Sequence, residues 1–201
     1  MGNGLREVPL TENAVHLCID MQRLFSDEGP WPTPWMKRVL PVIEELSGRF
    51  PARTIFTRFV TPVRPEDMPG TWRRFYMRWP QATRAVLPVD LLDLVPQLAR
   101  FAPPAIVIDK ARYSAFSQSA LLQHLRHRRA DTLVVTGSET DVCILASVLD
   151  AVDHGYRVIV VRDAVCSSSD EGHEALLQLY HRRYSEQVET ADMQEILSCW
   201  S

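Results

Sequence analysis

Several features that define large classes of protein are missing from this sequence. No apolar run approaches the roughly 20 residues of a membrane-spanning helix. The 22 basic residues do not outnumber the 25 acidic ones, so no basic surface for nucleic acid or an anionic membrane is indicated. Glycine is scarce, with eight residues, and no GxGxxG motif follows the first predicted strand, which argues against a dinucleotide site. The four cysteines are widely spaced and form no CxxC pair, so no disulfide scaffold is expected.

What remains is typical of a globular protein. The chain has 201 residues, 46% of them hydrophobic and 23% charged, with a formal net charge of −3. The N-terminal residues MGNGLREVPLTENAV lack the pattern of a secretion signal, so a cytoplasmic location is expected. Lysine is rare: Lys37 and Lys110 stand against 20 arginines, which raises the question of what an arginine could not do at those positions.

Short apolar runs alternate with amphipathic stretches along the chain, the pattern of a parallel sheet covered by helices on both faces. The predicted strands are Ala14–Asp20, Thr54–Arg58, Ala105–Asp109, Thr132–Thr136, Arg157–Val161 and Gln187–Thr190. The predicted helices are Pro34–Gly48, Asp90–Phe101, Ser117–His127, Thr140–His154, Glu171–Tyr184 and Asp192–Trp200. Together they predict one doubly wound three-layer α/β/α domain over residues 1–201, with a six-stranded, mainly parallel sheet.

The segment Val60–Pro88 is long for an irregular connection in a compact domain. It is rich in proline and combines aromatic residues with arginines, residue types that interfaces and pockets prefer. Two interpretations are open. The segment forms a lid or a subunit interface, or it holds a short helix that packs its Trp and Phe on the sheet while its arginines face water.

Three reactive side chains are predicted at one edge of the sheet. In an open α/β sheet, ligands bind beyond the carboxyl ends of the strands. Asp20 ends the first strand, Lys110 follows the third, and Cys143 lies near the start of the helix after the fourth. A helix N-terminus and an ammonium group favour a thiolate, and a carboxylate can pass the thiol proton to a leaving amine. Together the three residue types suit an acyl-transfer hydrolase.

Each of these residues also has a plainer interpretation. A cysteine on a helix is often a small buried hydrophobe, an aspartate after a strand often caps a turn, and a lysine at the rim is often solvated. The joint placement of Asp20, Lys110 and Cys143 favours the catalytic interpretation over these. Cys18 is expected to fill the core, and no role is assigned to Cys166 or Cys199.

The order Asp20 (in CIDMQ), Lys110 (in DKARYSAF) and Cys143 (in GSETDVCILASVLDAVDHGYRVIVVRDAVCS) resembles the isochorismatase-like cysteine hydrolase superfamily, which includes nicotinamidases and N-carbamoylsarcosine amidohydrolases. The resemblance implies that Cys143 is the nucleophile, Asp20 the general base and acid, and Lys110 the group that stabilises charge beside them. It further implies a cis peptide at Ser138–Glu139, an oxyanion hole made by the N–H groups of Glu139 and Cys143, and the strand order 3-2-1-4-5-6.

The sequence also departs from the superfamily's metal-binding nicotinamidases. These carry an Asp-x-His motif after the second strand, where this chain reads TRFVTPVRPEDM, and no histidine occurs between His16 and His124. Glu66 and Asp67 in that stretch are expected to be a solvated acidic pair. Isochorismatases themselves typically lack the cysteine, so Cys143 argues against vinyl-ether hydrolysis. A hydrolase without metal or cofactor is therefore predicted.

Five further residues are predicted to bind the substrate. Arg58 ends the second strand and is expected to pair with a substrate carboxylate, or alternatively with a neighbouring acid in a structural ion pair. Tyr113 and Phe116 follow Lys110 and are expected to wall the pocket. Trp72 and Phe75 are expected to fold over it from the irregular segment.

The sequence thus predicts a metal-independent cysteine amidohydrolase that cleaves a C–N bond of a small amide or ureido substrate through an acyl-cysteine intermediate. The alternatives are hydrolysis of another activated bond, such as a lactam or vinyl ether, and a non-catalytic small-molecule binding protein on the same fold. The expected partners are the small substrate and further copies of the chain in a dimer or tetramer, with no nucleic acid and no membrane.

Overall fold

The computed structural model describes residues 5, 6 and 9–200 and places a six-stranded sheet between two layers of helices. The strands are β1 (Ala14–Ile19), β2 (Thr54–Phe59), β3 (Ile106–Lys110), β4 (Thr132–Ser138), β5 (Arg157–Cys166) and β6 (Val188–Ala191). They lie in the order 3-2-1-4-5-6, and every neighbouring pair is parallel. The predicted fold class and strand order are confirmed.

Seven α-helices connect and cover the strands in the described residues. They are α1 (Met36–Arg49), α2 (Gly70–Arg78), α3 (Pro96–Ala99), α4 (Leu121–His127), α5 (Leu145–Asp153), α6 (Asp170–Arg182) and α7 (Met193–Cys199). A π-helical turn, Thr140–Ile144, precedes α5. No helix in this part of the chain has the length and apolarity that a bilayer span requires.

Successive strand residues point to opposite faces of the sheet, and helices cover both faces, so side chains on both sides are buried. In β1, Ala14 and Cys18 join the core under α1, α2, α3 and α7, whereas Leu17 and Ile19 join the core under α4, α5 and α6. The burial of all six β1 residues explains why this strand reads as a continuous apolar run rather than an alternating one.

Two predicted helices differ from the structure. Asp90–Phe101 is not one helix: the chain forms a 3-10 turn at Val89–Leu92, becomes extended, and begins α3 at Pro96. A residue before proline is disfavoured in helical geometry, and Val95 instead donates its N–H to the Met21 carbonyl. Helix α4 begins at Leu121 rather than at Ser117, because Gln118 has a φ of 55° and breaks the helix there.

The segment 60–88 holds the short helix that the sequence left as one of two interpretations. Helix α2 buries Tyr76 fully and Trp72 and Phe75 in part, while Arg73 and Arg74 are exposed. Its apolar side thus packs toward the sheet, as an amphipathic helix does. Because Phe75 also reaches the cavity described below, the segment contributes to the site as well as to the core.

The parallel topology brings the predicted reactive residues to one edge. Asp20 directly follows β1, Lys110 is the last residue of β3, and Glu139 directly follows β4. Strands β1 and β4 approach closely at this edge: a Cβ atom at Gly137, whose φ is 115°, would lie 2.0 Å from the carbonyl oxygen of Ile19. Only glycine fits there, so this residue sets how closely the loop after β4 lies to Asp20.

Candidate active site

Asp20 is held rigidly in the interior at the end of β1. Its φ of 51° turns the chain away from the strand, and its side chain has no exposed surface. Thr57 in β2 fixes the carboxylate by donating its hydroxyl to Oδ1 at 2.7 Å, and the Asp20 N–H lies 3.2 Å from the same hydroxyl oxygen. A buried carboxylate with this support keeps one orientation.

Lys110 pairs with Asp20 inside the protein. Its Nζ lies 2.7 Å from Asp20 Oδ2, and neither side chain is exposed. Nζ also donates hydrogen bonds to the carbonyls of Arg112 at 2.9 Å and Tyr113 at 3.0 Å. These contacts suit a compact ammonium group better than a planar guanidinium, which explains why a lysine stands at this position in an arginine-rich sequence.

Cys143 completes a three-residue cluster. It lies in the π-helical turn between β4 and α5, it is 5% exposed, and its thiol lies within electrostatic reach of both Asp20 and Lys110. The Ser138–Glu139 peptide that leads into this turn is cis, which confirms that prediction. The structure thus brings together the thiol, the carboxylate and the ammonium group that the sequence singled out.

The electrostatics of Cys143 differ from the sequence-based expectation. Burial raises the pKa of the Cys143 thiol; the Lys110 ammonium lowers that pKa, whereas the Asp20 carboxylate raises it, and the net direction is upward. Burial alone would lower the pKa of Lys110, but the interactions with Asp20 and Cys143 outweigh it and raise that pKa. This direction runs against the sequence-based expectation of a favoured thiolate, because burial beside the paired carboxylate and ammonium favours the thiol form.

A cavity of about 200 Å³ opens beside Cys143. Most of its wall is aromatic, and the lining residues are Phe25, Trp31, Phe59, Phe75, Trp79, Tyr113, Glu139, Val142 and Cys143. A space of this size holds a small molecule, and its lining is mostly apolar with a few polar groups, as ligand pockets usually are.

Two of the five predicted substrate-binding residues, Phe75 and Tyr113, line this cavity. Trp72 lies behind the wall, with its ring 4.7 Å from that of Tyr113, and supports the pocket without lining it. Phe116 does not line the cavity as predicted. Its ring packs on those of His154 and Tyr156 instead, at centroid distances of 5.1 and 6.2 Å. The loop after β3 turns between Tyr113 and Phe116 and sends them to different places.

Arg58 also differs from the prediction that it binds the substrate. Its guanidinium makes hydrogen bonds of 2.8 and 3.0 Å to the Asp109 carboxylate and lies 3.2 Å from that of Asp93. It does not line the cavity, whereas its neighbour Phe59 does. Successive strand residues point to opposite faces, so only one of these two neighbours can face the site. The structural ion pair, which the sequence left as an alternative, is what forms.

We therefore expect the substitution Arg58→Gln to have small effects. The ion pairs are partly solvated, and pairs of that kind contribute up to about 1 kcal/mol to stability. Urea denaturation should show a loss within that range, and kcat/KM should stay within about twofold of the wild-type value. A tenfold rise in KM would show instead that Arg58 binds the substrate.

Five lining residues were not predicted from the sequence: Phe25, Trp31, Phe59, Trp79 and Val142. Phe25 and Trp31 come from the connection between β1 and α1, and Trp79 follows α2, so no strand end points to them. The available signal was the density of tryptophans in these connections, which an apolar pocket or core needs. For Glu139, the resemblance implied a role for the backbone N–H and none for the side chain.

The side chains that could bind a metal ion are those of His, Cys, Asp and Glu. In the described ranges 5, 6 and 9–200, three or more His, Cys, Asp or Glu side chains nowhere gather as they would around a metal ion. The Asp20 carboxylate is instead paired with Lys110 and accepts a hydrogen bond from Thr57.

The fold and this cluster define a class of protein: a doubly wound α/β domain with a cysteine, a carboxylate and a lysine at the carboxyl edge of its sheet. Residues 14–192 match the isochorismatase domain. The chain belongs to the isochorismatase family.

Two curated relatives are enzymes by name. The chain is 38% identical over 92 residues to a maleamate amidohydrolase of Pseudomonas putida, covering 46% of this chain and 43% of that protein. It is 28% identical over 152 residues to an N-carbamoylsarcosine amidase of Arthrobacter, covering 73% and 57%. The matches therefore span about half the length of these relatives.

Among solved structures, a cysteine hydrolase from Pseudomonas syringae pv. phaseolicola 1448A superimposes with a TM-score of 0.82, covering 99% of this chain and 100% of that one. Sequence identity is 21%, so this likeness establishes the fold.

Proposed function

We propose that the protein is a metal-independent cysteine hydrolase that cleaves a C–N bond of a small amide or ureido substrate. The observation that carries the proposal is the position of Cys143 in the wall of a cavity, where the buried Asp20–Lys110 pair acts electrostatically on its thiol. The names of the two curated relatives, an amidohydrolase and an amidase, support the same class of reaction.

The first half-reaction forms an acyl-enzyme. As the Cys143 sulfur attacks the carbonyl carbon, its proton passes to the Asp20 carboxylate, which accounts for a resting thiol rather than a thiolate. We assign the N–H groups of Glu139 and Cys143 to the oxyanion. The C–N bond then breaks, and Asp20 returns the proton to the nitrogen, which leaves as ammonia or an amine.

The second half-reaction releases the acid. A water molecule attacks the thioester carbon while Asp20 accepts one of its protons, and the C–S bond breaks as that proton returns to sulfur. The products are a carboxylic or carbamic acid and the regenerated thiol. Lys110 stays protonated throughout and offsets the charge changes on Asp20, consistent with its raised pKa.

The direct test is release of nitrogen. Purified protein is incubated with nicotinamide, N-carbamoyl amino acids and aromatic carboxamides, with a chelator present throughout, and ammonia and acid are measured together. Equal yields of the two in the presence of chelator are expected. Activity only after a divalent metal is added would contradict the proposal, as would hydrolysis of an added lactam or vinyl ether by a protein that releases no ammonia from the panel.

A second candidate is a small-molecule binding protein without turnover. The raised pKa of Cys143 favours it, because a buried packing cysteine has the same property. Saturable binding of panel compounds by the folded protein, with no product over hours, would support this candidate. The paired Asp20 and Lys110 favour the hydrolase, since a binding cavity gains little from such a buried pair.

The proposal also covers where the protein works and how many subunits it has. We propose a single-domain enzyme that works in the cytoplasm as a dimer or tetramer. Light scattering of the purified full chain measures the subunit number, and a mass equal to one 23.0 kDa chain would contradict the oligomer.

A further inference from the structure

The charges around the cavity are unbalanced. Among the described residues that line it, Glu139 is the one with an acidic side chain, and no lysine or arginine lines it. Lys110 lies next to it but is paired with Asp20 at 2.7 Å, so those two charges offset each other. A ligand in the cavity therefore meets a net negative charge.

The Glu139 carboxylate is fixed by the loop after β5. Its Oε2 accepts hydrogen bonds from the Ser168 hydroxyl at 2.5 Å and from the Ser168 N–H at 3.3 Å. The Ser167 hydroxyl reaches the same oxygen at 3.5 Å, so these contacts all lie on one side of the carboxylate. The charge of Glu139 also contributes, after burial and Cys143, to the raised pKa of Tyr113 elsewhere in the wall.

The aromatic wall favours the same sign of ligand charge. The rings of Phe25, Phe59, Phe75 and Trp79 lie 5.6–6.3 Å from that of Trp31, at different inclinations. Aromatic faces carry negative electrostatic potential, so they attract cations and stack on planar rings but offer a carboxylate no favourable partner. With Arg58 outside the cavity, no lining cation compensates an anion.

We infer that the cavity selects its substrate by charge: it accepts an amide whose non-reacting part is a cationic or neutral planar group, and it rejects one that carries a carboxylate. Glu139 is the residue that sets this selectivity. The inference rests on the proposed function, because it takes the cavity beside Cys143 as the substrate site.

The test uses three ligands of matched shape and different charge: 1-methylnicotinamide (cationic), benzamide (neutral) and 3-carboxybenzamide (anionic). Binding to the Cys143→Ala protein is titrated by the fluorescence of the cavity tryptophans, so no turnover is needed. We expect the cation to bind at least as tightly as benzamide and the anion about tenfold more weakly, the effect of one partly screened charge at a few ångströms. An anion that binds as tightly as benzamide would overturn the inference, and so would the absence of binding by all three ligands.

The variant Glu139→Gln identifies the residue responsible. The ratio of anion to neutral affinity should rise about tenfold in this variant, because the repelling charge is gone. Glu12→Gln is the matched control, since Glu12 is exposed and precedes β1, at the opposite edge of the sheet. An unchanged ratio in Glu139→Gln would remove Glu139 from this role. If the wild-type protein released no ammonia from the amide panel while Cys143→Ala bound the three ligands in the order of their charge, the hydrolase would be contradicted and the selectivity would stand.

Discussion

The substitution Cys143→Ala is expected to reduce kcat/KM for amide hydrolysis by at least about 10³, because the side chain that forms the covalent bond is lost. Only one buried sulfur atom is removed, and the Asp20–Lys110 pair stays in place. The variant should therefore fold and should still bind ligands in the cavity. Ammonia release at saturating substrate, together with circular dichroism, measures both properties.

The matched control is Cys199→Ala. Cys199 is half-buried at the end of α7, outside the cavity, and its substitution should leave kcat and KM within about twofold of the wild-type values. If Cys143→Ala retained most of its activity while Cys199→Ala behaved like the wild type, Cys143 could not be the nucleophile and the proposed mechanism would fail.

The substitution Asp20→Asn is expected to reduce both activity and stability. It removes the group that moves the proton, and it leaves the Lys110 ammonium buried without a counter-charge. Breaking a buried pair by removing one partner typically costs about 3–5 kcal/mol, which corresponds to a fall in Tm of roughly 6–20 °C for a chain of this size. Calorimetry and ammonia release measure the two losses.

The double variant Asp20→Asn/Lys110→Met separates the two roles of the pair. It removes the buried charge altogether, so much of the lost stability should return, while activity stays absent because the proton acceptor is still missing. A single variant Asp20→Asn with wild-type Tm and activity would contradict both the buried ion pair and the assignment of the general base.

The placement of the reacting side chains was accessible from the sequence for a simple physical reason. Parallel strands end at a common edge, so residues that follow separate apolar runs meet without any knowledge of side-chain packing. Asp20, Lys110 and Cys143 were found in this way, and they do cluster. Their distances, and the balance of burial against charge that raises the pKa of Cys143, depend on three-dimensional packing that no spacing reveals.

The rest of the cavity was harder to predict. Whether Arg58 or Phe59 faces the site depends on strand pleating at the last residues of β2, where the apolar pattern does not fix the face. Phe25, Trp31 and Trp79 reach the cavity from connections, whose course follows from tertiary contacts rather than periodicity. These residues, rather than the three-residue cluster at the strand ends, form much of the cavity wall.

The measurement that tests the central claim most directly is identification of the acyl-enzyme. Turnover of the best amide from the panel is stopped with acid within the first catalytic cycles, and the digested protein is mapped by mass spectrometry. The account predicts that the peptide containing Cys143 gains the mass of the acyl group, and that this adduct is absent from Cys143→Ala. An acyl group on another residue, or rapid ammonia release by the Cys143→Ala protein, would contradict it.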